Sequence, residues 1–168
     1  LAGDLLDISL PSNRYSDAAS HLGIAREAGA GLKLKLKNPV KTIINLPADQ
    51  GFLRVKIENQ NLCPRYAARC FEIRKISSSS LWMQKILKTC GLEPINNIVD
   101  LMNYVMLEVG QPLHAFDFDK IESIKIKNQK SKIKINETKA IFVRRAKSGE
   151  KIEALDGQKF VLDGNDLV

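Results

Sequence analysis

Apolar residues recur at helical spacing in three stretches of the chain, and each stretch is bounded by residues that start or stop helices. This spacing predicts three helices, which run from Ser16 or Asp17 to about Ala30, over Leu81–Cys90 and over Asn97–Val109. The third is apolar on nearly every side, which predicts a deeply buried helix. Glycines follow each helix and are expected to end it: Gly29 and Gly31, Gly91, and Gly110.

Other stretches alternate apolar and polar residues with the two-residue period of a strand. The strands are expected at Leu5–Ser9, Phe52–Ile57, Tyr66–Ile73, Ile124–Lys127, Lys132–Ile135, Ala140–Arg145 and Phe160–Leu162. The mixed pattern of Tyr66–Ile73 predicts a mostly buried strand. Strands that surround two adjacent central helices predict an α+β fold.

The order of these elements predicts three segments. Residues 1–31 are expected to be the C-terminal part of a helical neighbouring domain, and residues 32–51 a linker with two prolines. Residues 52–168 are expected to form a β-rich domain that contains the two central helices and is truncated at its C-terminal end. The chain begins without Met and ends on a strand-like sequence, so we expect it to be part of a longer polypeptide.

The charge and the cysteines limit the classes of function. The formal net charge is +7, and residues 120–168 hold twelve Lys or Arg against seven Asp or Glu, a balance that permits a polyanionic partner. The lysines that alternate with isoleucines at 124–135 suit a phosphate-binding face or a charged edge strand, and the lack of aromatic residues there favours the edge strand. Cys63, Cys70 and Cys90 lack the spacing of a zinc site or disulfide frame, which favours a reducing compartment.

Asn103 and His114 are the candidate functional residues. Asn103 interrupts an apolar helix, where an amide without partners would cost about 1–3 kcal/mol. His114 follows the helix break at Gly110–Pro112, which is expected to fold it back so that both residues face one cavity. The structural alternative is that Asn103 holds a loop and His114 is a satisfied imidazole. Asp117 and Asp119 are interpreted as turn-formers or ion-pair partners rather than metal ligands.

Nucleotide-binding and hydrolase signatures are absent from the sequence. It contains no GxGxxG, P-loop, GxSxG or HExxH motif. The serines at 77–80 are interpreted as a turn and a helix cap. No apolar run has the length of a membrane span.

Four segments carry a resemblance to a known family. They are LLDISLPSNRYSDAASHLGIAREAGA (5–30), CPRYAAR (63–69), LWMQKILKTCGLEPINNIVDLMNYVMLEVGQPLHAFDFDKI (81–121) and GEKIEALDGQKFVLDGNDLV (149–168). Together they resemble the beta subunits of bacterial phenylalanyl-tRNA synthetases. One departure is Met102, where many members carry a small polar residue.

The resemblance implies a function and its residues. It implies that residues 52–168 are most of an editing domain that hydrolyses tyrosine wrongly attached to tRNA(Phe), with Asn103 and His114 in the editing pocket. It also implies a Gly-Gly turn and a glutamate beyond Val168 that contact the tyrosine side chain. A non-catalytic RNA- or protein-binding scaffold of the same family is the alternative.

The resemblance implies partners and cofactors as well. tRNA(Phe) and an alpha subunit, in a heterotetramer of two alpha and two beta chains, are the expected partners, and no DNA or membrane partner is expected. ATP and Mg²⁺ are implied for the whole enzyme, with none bound to this chain, which alone is not expected to make aminoacyl-tRNA. The implied location is the cytoplasm.

Overall fold

A computed structural model of the chain describes residues 5–37, 52–124, 138–154 and 157–168. The described helices are α1 (Tyr15–Ala18), α2 (His21–Leu32), α3 (Leu81–Thr89) and α4 (Asn97–Val109). The described strands are β1 (Leu53–Ile57), β2 (Ser123–Ile124), β3 (Thr138–Val143), β4 (Lys151–Glu153) and β5 (Lys159–Val161). Single 3₁₀ turns lie at Ser12–Arg14 and Phe118–Lys120. This mixture confirms the predicted α+β class.

The chain forms two compact units, each built from two separate segments. The first comprises Leu1–Asn45 and Ile73–Ala115, and the second comprises Leu46–Glu72 and Phe116–Val168. The units therefore group residues differently from the segments 1–31, 32–51 and 52–168, which stay a prediction. In the described ranges no helix is long and apolar enough to cross a membrane.

The N-terminal helical region of the first unit is broken where one continuous helix was predicted. Ser20 has an extended backbone, and its hydroxyl accepts a hydrogen bond from Gly23 N at 2.9 Å, so α2 starts anew after α1. Gly23 permits the close approach, because a Cβ there would lie 2.5 Å from the Asp17 carbonyl oxygen. The predicted stop was also wrong: Gly29 and Gly31 lie inside α2, which ends at Leu32 and is followed by Lys33 with a left-handed φ of 55°.

The prediction of α3 and α4 was accurate in position. The ends of α4 match the prediction, and α3 ends one residue earlier than predicted. Leu87 and Met83 of α3 are buried. The deep burial predicted for α4 was wrong, because α4 contacts α2 and α3 and leaves Leu101 about half exposed.

The second unit contains a three-stranded sheet in the order β1-β3-β2. β1 and β3 are parallel, from the pair Leu53–Lys139 to the pair Ile57–Val143. β2 is antiparallel to β3, and β4 with β5 forms a separate antiparallel hairpin. The predicted strands at β1, β3 and β5 are confirmed within a few residues, whereas β4 was missed because three residues carry too little alternation to detect.

Two strand predictions were wrong. Leu5–Ser9 and Tyr66–Ile73 have no strand structure, and only Tyr66 of the second segment is even partly buried. Both sequences have strand-like residues, but a strand forms only when another segment completes its backbone hydrogen bonds. Of the predicted strands Ile124–Lys127 and Lys132–Ile135, residues 125–137 lie outside the described ranges.

An ion pair fixes the turn that follows β3. Arg144 donates to both carboxylate oxygens of Glu150 at 2.6 and 2.8 Å, and Lys147 N donates to the same carboxylate at 2.8 Å. The hydrogen bonds from Arg144 and then from Lys147 lower the pKa of Glu150 from 4.5 to about 2. The lowered pKa means that this carboxylate stabilises the fold above pH 4.5 and loses that effect as the pH falls through about 2.

We therefore expect the Glu150 carboxyl carbon to titrate near pH 2 by NMR, and to move back towards 4.5 in an Arg144→Met variant. Glu150→Gln should remove part of the stability loss between pH 4.5 and 2, measured as the change in urea midpoint. A wild-type midpoint near 4.5 for Glu150 would contradict the role given to Arg144.

Candidate functional site around helix α4

The start of α4 is fixed by two successive asparagines. The Asn96 side chain caps the helix, since its Oδ1 accepts from Ile98 N and Val99 N, both at 3.0 Å. Asn97 reaches back to the segment before α3: its Oδ1 accepts from Ser77 N at 3.2 Å and its Nδ2 donates to the Lys75 carbonyl at 3.1 Å. Both polar side chains are thus used for positioning the helix.

A buried carboxylate completes this anchor. Asp100 is 1% exposed; it accepts a hydrogen bond from the Ser79 hydroxyl and another from Ile95 N at 2.7 Å. Gln84 Nε2 in turn donates to the Ser79 carbonyl at 2.7 Å. Asp100 therefore joins the serine run, the loop before α4 and α4 itself.

Sequence reasoning missed Asp100, although a signal was present. A carboxylate inside the apolar run INNIVDLMNYVML needs partners as much as Asn103 does. The serine run at 77–80 was assigned to a turn and a cap. Ser80 is the N-cap residue of α3, but its side chain makes no capping hydrogen bond and residues 77–80 form no turn. Its neighbour Ser79 supplies the hydroxyl that Asp100 requires.

Tyr104 lies next to Asn103 on α4 and connects this helix to α3. Its ring meets the Trp82 ring edge to face, with centroids 5.3 Å apart and planes at 89°. Its hydroxyl donates to Glu108 Oε1 at 3.2 Å. Burial, followed by the neighbouring Glu108 carboxylate, raises the pKa of Tyr104, so this phenol stays a neutral hydrogen-bond donor.

Asn103 and His114 belong to the same compact unit. Asn103 is half-buried in α4, and His114 is exposed in the segment that follows the helix. Between them, Gly110 ends α4 with a φ of 82°, as predicted. A Cβ at Gly110 would lie 3.3 Å from Ser20 Cβ, so the chain leaves α4 directly against the N-terminus of α2.

Their sharing of one cavity stays a prediction. A pocket of about 330 Å³ lies in this unit, between the segment that precedes α1 and helix α2. It is lined by Ile8, Leu10, Pro11, Arg14, Ala18, Ile24, Glu27 and Ala28, and so involves neither candidate residue.

The other candidate groups have structural roles or no metal geometry. Asp117 Oδ1 accepts from Asp119 N at 3.1 Å and caps the 3₁₀ turn, which confirms its interpretation as a turn-former. Cys63, Cys70 and Cys90 are free thiols. In the part of the chain that the structure describes, no three His, Cys, Asp or Glu side chains are placed to hold a metal ion.

The fold and these residues agree with one domain family. Its sequence profile, that of the B3/4 domain, matches residues 62–168, and the chain belongs to this family. The match includes α3, α4, Asn103, His114 and the strands β2–β5.

Curated relatives identify the kind of protein in which this sequence occurs. The chain is 44% identical to the phenylalanine–tRNA ligase beta subunit of Carboxydothermus hydrogenoformans, over 98% of this chain and 18% of that protein. It is 40% identical to the beta subunits of Clostridium acetobutylicum and Anaeromyxobacter dehalogenans, over 100% and 98% of this chain and 19% of each protein. The predicted resemblance is confirmed, and the chain spans less than a fifth of these relatives.

Proposed function

We propose that this chain supplies the proofreading site of a phenylalanine–tRNA ligase beta subunit, where Asn103 and His114 position substrate or water for hydrolysis of Tyr-tRNA(Phe). One observation carries the proposal. α4, fixed at its first turn by Asn96, Asn97 and Asp100, holds Asn103, and the break at Gly110 leads to His114 in the same compact unit. The family match and the relatives named above support it.

The chemistry suits these two side chains. The ester that joins an amino acid to tRNA is activated, so an oriented water can hydrolyse it without a protein nucleophile. The His114 imidazole can accept a hydrogen bond from that water in its neutral form, and the Asn103 amide can both donate and accept. A half-buried amide on a fixed helix would hold one orientation towards the ester.

Tyrosine and phenylalanine differ by one hydroxyl, so a synthetic site for phenylalanine can also accept tyrosine, and a second site is needed to remove it. A pocket built for phenylalanine rejects an added hydroxyl only weakly. A second pocket that hydrogen-bonds the hydroxyl discriminates steeply, because its polar groups lose their partner when phenylalanine enters. Hydrolysis at such a site would spare Phe-tRNA(Phe).

The same proposal sets the chain in its larger context. tRNA(Phe) and the alpha subunit would be its partners, in a tetramer of two alpha and two beta chains in the cytoplasm. ATP and Mg²⁺ would serve the synthetic reaction, and we assign no residue of this chain to them.

The alternative is a scaffold that binds RNA or protein without hydrolysis, and the net charge of +7 favours its RNA-binding form. Incubation of a phenylalanine–tRNA ligase that carries this chain in its beta subunit with preformed Tyr-tRNA(Phe) separates the two functions. Proofreading predicts release of tyrosine well above the spontaneous rate. Binding of the tRNA with tyrosine release at the spontaneous rate would support the scaffold instead.

A further inference from the structure

One face of the β1–β3 pair, on which Thr138 and Ala140 are buried, also carries two exposed cations and an exposed aromatic ring. Arg54 and Lys56 are the exposed residues of β1, which alternates half-buried and exposed positions. The parallel register sets Lys56 beside Phe142 of β3, so both side chains lie on one face of the sheet. Lys56 Nζ is 5.9 Å from the centre of the Phe142 ring.

The charge of this face is available to a partner. Among the described residues no carboxylate lies within ion-pair distance of Arg54 or Lys56. Arg144, which directly follows β3, is by contrast paired with Glu150. Phe142 is 41% exposed, so its ring still presents area to solvent. β1 is also an outer strand among the described strands of this sheet.

We propose that Arg54, Lys56 and Phe142 form a binding face for single-stranded RNA. A base displaces Lys56 from over the Phe142 ring and stacks there, while Arg54 and Lys56 contact the flanking phosphates. Cationic side chains interleaved with an exposed ring suit an unpaired strand better than a duplex, whose bases are stacked internally. The face binds RNA whether or not Asn103 and His114 support hydrolysis, so the two proposals stand separately.

The sequence alone does not predict this arrangement. A phosphate-binding face is suggested only by the lysine-rich stretch 124–135, and Lys56 and Phe142 are far apart in the chain. Only the parallel register of β1 and β3 brings them together. An edge strand that uses cations to prevent aggregation is the competing explanation for Arg54 and Lys56; it gives Phe142 no role.

Fluorescence anisotropy with a labelled single-stranded RNA of about 12 nucleotides tests the face on the whole chain. Phe142→Ala should weaken binding on the order of five- to a hundredfold, the loss of one stacked base. Phe160→Ala is the matched control: Phe160 is 45% exposed in the same unit but lies on the β4–β5 hairpin. Its affinity should stay within about twofold of wild type. Phe142→Tyr keeps the ring and should restore binding.

Salt dependence tests the phosphate contacts independently. Between about 50 and 200 mM salt, Lys56→Ala should make the slope of log affinity against log salt less negative by about 0.7, one lost phosphate contact on a single strand. Lys159→Ala, on the hairpin, should leave the slope unchanged.

Four results would overturn the proposal: no single-stranded RNA binding by the wild-type chain, equal losses in the Phe142→Ala and Phe160→Ala variants, duplex RNA of the same sequence binding as tightly, or polyglutamate competing as well as RNA. The last result would point to an acidic protein partner. Circular dichroism of each variant distinguishes loss of folding from loss of binding.

Discussion

Replacing Asp100 with alanine should lower the free energy of unfolding of the first unit by about 2–4 kcal/mol. The substitution removes the acceptor of the buried Ser79 hydroxyl and of the part-buried Ile95 N–H, which both donate to this carboxylate. Each buried polar group without a partner costs about 1–3 kcal/mol. Urea unfolding followed by Trp82 fluorescence measures the effect, because Trp82 is the one tryptophan of the chain and touches Tyr104 on α4.

Two matched variants separate the hydrogen bonds from the loss of side-chain volume. Asp100→Asn keeps the shape, can accept from Ile95 N and can donate to Ser79, so it should cost less than Asp100→Ala. In the serine run, Ser79→Ala should destabilise by about 1–3 kcal/mol, and Ser78→Ala, which is exposed, by less than about 0.5 kcal/mol. An Asp100→Ala variant as stable as the wild type would show that this network does not hold α4.

His114→Ala should slow hydrolysis of Tyr-tRNA(Phe) about tenfold or more in a phenylalanine–tRNA ligase that carries this chain in its beta subunit, and should leave phenylalanine charging nearly intact. Removing a group that stabilises developing charge costs about 2.7–4 kcal/mol of barrier, and a group that only orients a water costs less. A tenfold loss corresponds to about 1.4 kcal/mol. The rate of tyrosine release from preformed Tyr-tRNA(Phe) is the measurement.

The second histidine of the chain provides the control for this variant. His21 is also exposed, at the start of α2, and His21→Ala should leave tyrosine release unchanged. Asn103→Ala should act in the same direction as His114→Ala, and the double variant should lose less than the sum of the two if both residues hold one substrate. Equal losses of tyrosine release and charging in His114→Ala would make this residue structural.

The sequence was sufficient for elements whose signals are local. α4 was predicted with its correct ends because the apolar spacing and the stop at Gly110 lie within or next to the helix. The strand predictions at Leu5–Ser9 and Tyr66–Ile73 were wrong for the opposite reason. A strand needs a second strand to complete its hydrogen bonds, and that second strand can be distant in the sequence. The pairing of β1 with β3 is such a long-range contact.

The break between α1 and α2 shows how close competing local signals can be. Ser16 or Asp17 was predicted as the cap, whereas Ser20, a residue type equally suited to capping, caps α2. Ser20 can cap α2 because Gly23 lets α1 and α2 come very close together. A side chain at position 23 would clash with the Asp17 backbone. That approach is a tertiary contact, which a local pattern does not record.

The candidate site was predicted in part. Asn103 was singled out because it interrupts an apolar helix, and His114 because it follows the helix break at Gly110–Pro112; their shared role stays a prediction. The same reasoning did not reach Asp100, whose partner Ser79 is distant in sequence, or the Lys56–Phe142 pair, which depends on strand register.

The most direct test of the proofreading account compares two preformed substrates, Tyr-tRNA(Phe) and Phe-tRNA(Phe), with the complete ligase that carries this chain, in the absence of ATP. The account predicts that tyrosine is released faster than phenylalanine by roughly a hundredfold or more, because the pocket requires the hydroxyl. It also predicts that the difference shrinks in the His114→Ala enzyme. Equal release of both amino acids, or release of tyrosine at the spontaneous rate, would contradict it.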